Sequence, residues 1–562
     1  MKLKNSILGG VISILSFSAS AQSVNILVNN KQTIQDSNAS TFYTTVQQQD
    51  DNSIEATLQV LKENVPYEGN IVLDGVEYVN GGKIRCSANV KAHSIVIDKD
   101  TLHLVLTNLP LVKIDYDPNI ILEKGVDTKA TISIVDVQDW IEDKIFTTPI
   151  YISLRGATAA QMEKKSYSIA LVDDKGEEFE KKLFDIRKTD KWIMDAAAID
   201  YSRIRNRVTF DIWNEMSTLR DKDMKRNGTQ GQFCELILNG QYNGIYCFSD
   251  KINRSLLGLK KTKDQENIHG LLYKCDKASF NGHSFTQGDE HLDMTNEEWG
   301  DFSMKHPDYY CSETWMPLAN TINKVDALTE DTDSVDALVN NFYKQNFYEY
   351  AVFAMSFMLT DNMMHNTYLS FVDYEKDKRL WITPWDLDGG FGRDGSGSKI
   401  NRTAQSWIVF QNCKPFRYYY DHNVEPFMSN YNDTWEKLST SVLSVDNVSN
   451  IIDKYTHLLD QNGAWQRERE RWNGMQNCWH KDEPINLGYT AAEEAQYMKD
   501  WYEANFSDMK SKITSIESAK VENTLRNSSI YSIDGRIVNV KSKGELSSGL
   551  YIINGKKVVI SK

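Results

Sequence analysis

Two acidic clusters lie twenty residues apart in the second half of the chain. The first reads Asp361-Asn-Met-Met-His-Asn366, and the second closes the stretch Trp381-Ile-Thr-Pro-Trp-Asp-Leu-Asp388-Gly-Gly. The apolar residues before Asp386 predict a short buried strand that runs into glycines. If the strand stays extended, Asp386 and Asp388 point to the same side, because side chains alternate along a strand. Two carboxylates on one face, beside flexible backbone, predict a site for a hard divalent cation.

The first cluster has the spacing D-x-x-x-x-N. A kinase catalytic loop uses this spacing to present an Asp that accepts a proton and an Asn that binds metal. Together the two clusters therefore predict chemistry on a metal-bound phosphate. A single copy of such a pattern also arises by chance, and Asp-Leu-Asp-Gly is equally typical of a solvated turn after a strand.

Two calcium-site interpretations of the second cluster fail in detail. The stretch Gly389-Gly-Phe-Gly-Arg-Asp394 matches the repeat of calcium-binding β-rolls, but a β-roll needs several stacked copies and this chain has one. An EF-hand loop needs acidic residues where Gly390 and Gly397 stand. Neither type of calcium site is expected here.

Length and composition indicate a folded, multidomain protein. The 562 residues are enough for about three or four domains. Hydrophobic residues make up 41% of the chain, with 13 Trp, 27 Tyr and 21 Phe, which predicts well-filled cores. The net charge of −15 argues against nucleic acid as a partner, because such binding needs a basic surface.

The N-terminus has the pattern of a secretory signal peptide. Lys2 and Lys4 precede an apolar run over residues 7–17, and Ala19-Ser-Ala21 then supplies a cleavage site before Gln22. We therefore expect residues 1–21 to be a signal peptide and the protein to be secreted or attached to the cell surface. No later run of 18 apolar residues occurs, so no transmembrane segment is expected.

The seven cysteines do not form a recognisable framework. No C-x-x-C pair occurs, so structural zinc is not expected. Cys234 and Cys247 flank a predicted hairpin around Asn239-Gly-Gln241. They face each other if Gly240 and Gln241 form the loop, whereas Cys234 faces Ile245 if Asn239 and Gly240 do. The sequence leaves the register and any disulfide pairing open.

The pattern of apolar residues changes twice along the chain. Residues 22–110 alternate apolar and polar positions between Asn and Gly turns, which predicts a small β-domain. Residues 111–515 begin with strand-like segments and continue with helical periodicity, as over residues 342–359. Residues 516–562 carry short apolar runs joined by D-G and N-G turns, which predicts a small β-sandwich. The expected fold class is α+β, with a two-lobed, protein-kinase-like domain between the β-domain and the tail.

Further segments surround the acidic clusters in a definite order. They are Leu109-Pro-Leu-Val-Lys-Ile-Asp115, Arg155-Gly-Ala-Thr158, Lys164-Lys-Ser-Tyr167, Asp200-Tyr-Ser-Arg-Ile-Arg-Asn206 and the hairpin Glu235-Leu-Ile-Leu-Asn-Gly-Gln-Tyr-Asn-Gly-Ile-Tyr246. With the acidic clusters, these segments resemble the spore-coat protein H (CotH) kinase family over about residues 105–425. The resemblance implies an atypical kinase fold that uses ATP and Mg²⁺, or Mn²⁺, to phosphorylate Ser or Thr of an acceptor protein.

The resemblance also assigns roles at the predicted metal-phosphate site. Asp361 corresponds to the catalytic Asp and Asn366 to a metal ligand. Asp386, Asp388 or both would hold the metal that bridges the β- and γ-phosphates.

Basic residues are the candidates for binding the nucleotide phosphates. Lys165 is the first candidate for the α- and β-phosphates, with Lys164 the alternative. The two lysines would face opposite sides of a strand, so only one can reach the cleft. Arg155 and Arg205 are further candidates for phosphate, although buried ion pairs with carboxylates are the more common role of such arginines.

The C-terminal residues resemble the sorting domain of proteins exported by the type IX system of Bacteroidetes. The residues that fit its pattern are Tyr531, Gly535, Val538, Leu546, Gly549, Tyr551, Gly555, Lys556, Lys557, Val559 and Lys562. This resemblance implies contact with an outer-membrane secretion machinery.

Two other functions fit the same residues. A non-catalytic, kinase-like surface or adhesion protein is the first, although the intact acidic clusters argue against a decayed site. A glycan-active protein is the second, because Asp361 with Asp386 could form the carboxylate pair of a glycosidase.

Overall fold

The computed structural model describes residues 24–36, 40–138, 145–219, 228–276, 294–328, 332–362, 365–400, 403, 409–410, 413–527, 530–538, 546–553 and 556–561. The predicted signal peptide lies outside the described residues, as do Gly555 and Lys562 of the C-terminal pattern. In the part of the chain that is described, no helix combines the length and the apolar character needed to cross a membrane.

The N-terminal domain consists of two β-sheets around one core. Its strands are β1 (Val24–Val28), β2 (Lys31–Gln32), β3 (Ile34–Asp36), β4 (Thr41–Thr45), β5 (Ser53–Lys62), β6 (Val65–Pro66), β7 (Ile71–Leu73), β8 (Val76–Tyr78), β9 (Lys83–Ser87), β10 (His93–Ile97) and β11 (Asp100–Thr107). One sheet has the order β2-β1-β5-β6, with β9 on β5, and the other has the order β3-β4-β11-β10-β7-β8. Alternate residues of β5, such as Ile54 and Leu58, are buried in this core.

A closed barrel follows the N-terminal domain. The strands of this region are β12 (Leu111–Tyr116), β13 (Thr128–Val135), β14 (Ile145–Leu154), β15 (Tyr167–Leu171), β16 (Lys181–Lys182), β17 (Lys188–Thr189), β18 (Lys191–Asp195), β19 (Gly231–Leu238) and β20 (Gln241–Asp250). The barrel order is β12-β13-β14-β15-β18-β20-β19, closed by parallel pairing of Leu111 with Glu235, while β16 and β17 form a separate ribbon. Helix α1 (Arg205–Thr218) connects β18 to the β19–β20 hairpin.

The β19–β20 hairpin has a register that differs from both sequence-based alternatives. Leu238 pairs with Gln241, so Asn239 and Gly240 form the loop. The register then shifts between Leu236 and Ile237, which pair with Gly244 and Tyr242, and Asn243 forms a bulge. Cys234 therefore pairs with Tyr246 and not with Cys247 or Ile245. All seven cysteines are free thiols.

A five-stranded sheet and a set of helices follow the barrel. The strands are β21 (Leu271–Cys275), β22 (Glu298–Trp299), β23 (Phe302–His306), β24 (Thr367–Phe371) and β25 (Trp381–Pro384), in the order β22-β23-β21-β24-β25. The helices are α2 (Ser312–Asp326), α3 (Thr332–Val339), α4 (Lys344–Phe357), α5 (Lys414–Asp421), α6 (Phe427–Ser439), α7 (Val445–Asp460), α8 (Ala464–Trp472) and α9 (Ala491–Asn527). One hydrophobic core is continuous from the barrel through these helices, so the fold is α+β. The division into two kinase lobes stays a prediction.

The C-terminal strands form a sheet with a small core of its own. Helix α9 runs through the boundary predicted at residue 516, and the strands begin at Ile530. They are β26 (Ile530–Ser532), β27 (Ile537–Val538), β28 (Gly549–Ile553) and β29 (Lys556–Ile560), in the order β27-β26-β28-β29. Among the described residues they make one sheet and not the expected sandwich, and its core contains Leu546 and Tyr551.

Candidate functional site

The first acidic cluster lies in the turn between α4 and β24. Helix α4 ends at Phe357, and the next residue, Met358, has a left-handed backbone with a φ of 51°. Asn366, also left-handed at 49°, then leads into β24. The amide nitrogen of Asn366 donates to Oδ2 of Asp361 at 3.0 Å, and Nδ1 of His365 lies 3.2 Å from Oδ1. The Asp361 side chain is held from both sides and remains 46% exposed.

The β24–β25 pairing brings the second acidic cluster beside the first. Thr367 pairs with Pro384, and the backbone nitrogen of Trp385 donates to the carbonyl oxygen of Asn366 at 2.9 Å. Asp386 follows with a left-handed φ of 59°. The extended geometry expected for Asp386 and Asp388 is therefore absent, because the strand ends at Pro384. The hairpin, and not strand alternation, brings the carboxylates to the site.

Glycines allow the backbone after Asp388 to pass close to Asp361. A Cβ atom at Gly395 would lie 3.1 Å from Oδ2 of Asp361, and one at Gly389 would lie 3.0 Å from the backbone nitrogen of Gly395. A side chain at either position would therefore force its neighbour to shift. The loop after β25 therefore packs directly against the Asp361 carboxylate.

The carboxylates of Asp386 and Asp388 lie in a strongly acidic cleft. Desolvation by the surrounding protein is the main cause that raises the pKa of Asp388, and the charges of Asp386, Asp195 and Asp361 add to it. Desolvation also raises the pKa of Asp386, although Arg155 opposes the shift and the Asp386 side chain is open to solvent at the cleft. Among the described residues, neither carboxylate has a hydrogen-bond donor or an ion-pair partner.

Two residues of this cleft escaped the sequence analysis as site residues. Asp195 ends β18, and its Oδ2 accepts a 2.9 Å hydrogen bond from the side chain of Asn206 on α1. Oδ1 of Asn206 accepts from the backbone nitrogen of Leu387 at 3.1 Å. Asn206 thus ties Asp195 to the loop that carries Asp386 and Asp388. A carboxylate that follows an apolar run, as Asp195 follows Trp192-Ile-Met, was the available signal.

Lys164 is fully buried in an ion pair. Its ammonium donates to Oε1 of Glu468 on α8 at 2.8 Å and to the carbonyl oxygen of Ile245 at 2.6 Å. Arg203 donates to the same carboxylate oxygen at 2.8 Å. Burial lowers the pKa of Lys164 to about 8, and the charge of Glu468 acts in the opposite direction. A Cβ at Gly244 would lie 2.2 Å from Oε2 of Glu468, so only glycine fits beside this pair.

Lys165 points away from Lys164, but strand alternation is not the reason, because both lysines precede β15, which begins at Tyr167. It is half-buried, and its ammonium donates to the carbonyl oxygen of Ala160 at 2.8 Å. In this conformation Lys165 has surface with which to contact a nucleotide, whereas the buried side chain of Lys164 has none.

Cations border the acidic cleft on one side. The guanidinium of Arg155 lies 5.4 Å from the centre of the Trp385 ring and acts electrostatically on Asp386, as does Lys274. Desolvation, followed by the charges of Arg155 and other cations, lowers the pKa of Lys251. The sequence analysis did not single out Lys251 and Lys274, because each only ends or follows a barrel or sheet strand.

Arg205 has a different role from Arg155. It is completely buried at the start of α1 and pairs with Asp200 at 2.6 Å and Glu494 at 2.5 Å. Buried ion pairs of this kind are the role that the sequence analysis gave as the more common one for such arginines.

Among the described residues, one group of His, Asp and Glu side chains brings three potential metal-ligand atoms close together, and it lies beside the five-stranded sheet. His269, Asp373 and Glu375 have ligand atoms within 4.8 Å of one another. Nδ1 of His269 is 2.8 Å from Asp373, beside Lys260. None of the predicted site residues belongs to this group, and such exposed acidic groups are common without a metal.

A known protein family matches the chain from the end of β14 through most of the helices that follow the barrel. Residues 152–507 match a family model described as CotH kinase protein. The matched range contains every residue of the acidic cleft described above, together with Lys164 and Glu468. No match to the chain was found among curated proteins.

Proposed function

Because this chain belongs to the CotH kinase protein family, we propose that it is an atypical kinase that transfers the γ-phosphoryl group of ATP to Ser or Thr hydroxyls of an acceptor protein. The observation that supports this most directly is the meeting of two acidic clusters in one cleft. Asp361 and Asn366 come from the turn after α4, and Asp386 and Asp388 come from the loop after β25.

The residues of the cleft fit a divalent cation. Desolvation, and after it the charges of neighbouring carboxylates, raises the pKa values of Asp386 and Asp388, so keeping both ionised without protein donors is costly. Asn366 commits its amide nitrogen to Asp361, which leaves its amide oxygen available. We assign Mg²⁺ or Mn²⁺ to Asp386, Asp388 and Asn366, all of which offer the hard oxygen ligands that these ions prefer. The bound ion would supply positive charge to offset the triphosphate.

Asp361 is the residue that accepts the proton of the acceptor hydroxyl. Its carboxylate is exposed to the cleft and fixed by Asn366 and His365, so it can orient an incoming hydroxyl. His365 contacts Asp361 through one ring nitrogen and the carbonyl oxygen of Asp276 through the other. The hydrogen bond to Asp361 is the main cause that raises the pKa of His365. The raised pKa favours the protonated, positively charged form of His365 beside the Asp361 carboxylate.

The cations at the edge of the cleft would neutralise the phosphates that are not transferred. Arg155 and Lys165 are the residues that the family resemblance assigns, and Lys274 lies close enough to act on Asp386, while Lys251 lies close enough to Arg155 and Lys274 to feel their charges. Lys164 takes a structural role in this proposal, because its ammonium is enclosed by Glu468 and Ile245.

We also propose that the protein acts outside the cytoplasm. The signal-peptide pattern of residues 1–21 and the type IX sorting pattern of the C-terminal strands support export to the cell surface. Removing residues 530–562 should retain the protein inside the cell envelope, which fractionation and surface proteolysis would detect. Surface display that is unchanged by this truncation would contradict the proposed sorting role.

Nucleotide binding provides the first experiment. Titration of the purified protein with ATP and Mg²⁺ should raise its melting temperature, and ATP with a chelator should raise it much less. A protein that responds to neither ATP nor metal would favour the non-catalytic surface function.

A further inference from the structure

A second cavity lies where the N-terminal domain, the barrel and helix α7 meet. Its volume is about 730 Å³, which is within the usual range for small-ligand sites. Segments 46–52 and 108–110 of the N-terminal domain form one wall, and Gln232 of β19 and His457 of α7 stand on the others. None of the residues of the acidic cleft lines it, so the two sites are separate.

Uncharged carboxamide side chains dominate the wall of this cavity, which we call the carboxamide cleft. Eight of its seventeen lining residues are Gln or Asn, three are Asp, and the lining residues include no Lys or Arg. A wall with three carboxylates and no cation disfavours phosphate, nucleotide and nucleic acid. Carboxamides offer donors and acceptors together, which matches hydroxyl groups, whereas a cationic ligand would need acceptors alone.

Two of these carboxamides have an unused acceptor. Oε1 of Gln48 and Oδ1 of Asn108 are shielded from solvent and accept no hydrogen bond. Their nitrogens are already engaged, since Gln48 donates to Asn52 at 2.8 Å and Asn108 donates to Gln461 at 2.6 Å. A buried acceptor without a donor costs about 1–3 kcal/mol. A ligand that brings hydroxyl donors into the cleft can remove this cost after small side-chain rotations.

We propose that the carboxamide cleft binds a neutral oligosaccharide. The wall supplies the mixed donors and acceptors that sugar hydroxyls need, and Phe184 adds an aromatic side chain for the apolar face of a sugar. The Phe184 ring is held in place by edge-on packing against Phe248, with 5.4 Å between ring centres. The lining is mainly polar, which disfavours a peptide that would be recognised through apolar pockets. This site is independent of phosphoryl transfer.

The test uses the full chain and a defined panel of neutral ligands. Tri- and tetrasaccharides of glucose, mannose, galactose and N-acetylglucosamine are titrated by calorimetry. Spermidine and a neutral Ser/Gly-rich peptide are titrated in the same way, as a cationic and a peptide ligand. The variant Gln48→Met/Asn108→Leu removes both unused acceptors at nearly constant volume. Gln496→Met is the matched control, since Gln496 is an exposed glutamine on α9 that donates to Asp500.

The expected result is binding of at least one saccharide, weakened about tenfold or more by the double variant and unchanged by the control. Asp361→Ala should leave this binding intact, so a failure of the kinase proposal would not affect it. The inference is overturned if no saccharide binds, if the folded double variant binds as tightly as the wild type, or if spermidine or the peptide binds instead. Thermal melting of each variant establishes that it is folded.

Discussion

The amide nitrogen of Asn366 donates a 3.0 Å hydrogen bond to Oδ2 of Asp361, which joins the two ends of the D-x-x-x-x-N segment. Replacing Asn366 with Ala removes this bond together with a proposed metal ligand. We expect phosphoryl transfer to fall by about a hundredfold, the effect of misplacing a reacting group by about 1 Å. Steady-state rates and Mn²⁺ titrations would measure both losses. Transfer at the wild-type rate would show that Asn366 neither orients Asp361 nor binds the metal.

Gly395 offers a second way to disturb Asp361. A Cβ at this position would lie 3.1 Å from the Asp361 carboxylate, so Gly395→Ala should force that side chain to shift. We expect lower transfer with a melting temperature close to that of the wild type, because the shift affects one exposed side chain. Full activity in Gly395→Ala would indicate that the position of Asp361 does not limit the reaction.

Substitutions of the neighbouring residues Lys164 and Lys165 should separate an effect on the stability of the fold from an effect on nucleotide binding. Lys164→Met leaves Glu468 buried with Arg203 as its remaining cation, and we expect a loss of about 3 kcal/mol in the free energy of unfolding. Lys165→Met should change stability by less than about 1 kcal/mol, because the side chain is partly exposed, but it should raise the KM for ATP. Denaturant unfolding and kinetics on both variants test this division. A large loss of stability in Lys165→Met, with Lys164→Met unaffected, would reverse the assignment.

The pKa of Asp388 predicts how the metal-free protein responds to pH. Well below the ordinary value of 3.8 the carboxyl is protonated in both the folded and the unfolded state, so it has no effect on stability. The folded-state pKa of Asp388 is raised, so the folded protein keeps the proton to a higher pH than the unfolded chain does. Stability is therefore lost as the pH rises from 3.8 through the folded-state pKa. Asp388→Asn should therefore melt at a higher temperature than the wild type without metal, and the difference should grow as the pH rises above 3.8 and level off above the folded-state pKa.

The control for this prediction is Asp500→Asn, an exposed carboxylate on α9. It should show no such pH-dependent difference. Added Mg²⁺ should stabilise the wild type but have little effect on Asp388→Asn, because the variant lacks one of the proposed ligands. A wild type that is more stable than Asp388→Asn at every pH without metal would contradict the electrostatic description of the cleft.

Local sequence patterns predicted much of the secondary structure. The apolar periodicity before Asp361 predicted a helix, and α4 spans Lys344–Phe357. The alternation of apolar and polar residues over 22–110 predicted a β-domain, and strands β1 to β11 lie within that range. The β19–β20 register was missed, because the Asn243 bulge depends on packing of Gly244 against Glu468, more than 200 residues away. No local pattern encodes that contact.

The candidate site was predictable only in part for the same reason. Residue types and spacing identified Asp361, Asn366, Asp386 and Asp388, but alternation along an extended strand was the wrong reason to group the last two. Asp195 joins them through the side chain of Asn206, a contact between distant segments. Likewise the burial of Lys164, which separates it from Lys165, depends on α8 reaching the barrel.

The most direct test of the proposed kinase activity is phosphate incorporation from γ-labelled ATP with Mg²⁺ or Mn²⁺, followed alongside the ATP-dependent rise in melting temperature. The wild type should show both signals. Asp361→Ala should lose incorporation yet keep the melting shift, because it removes the proton acceptor and not a metal ligand, whereas Asp388→Ala should lose both. Wild-type protein with neither signal, or Asp361→Ala with undiminished incorporation, would contradict the proposed mechanism.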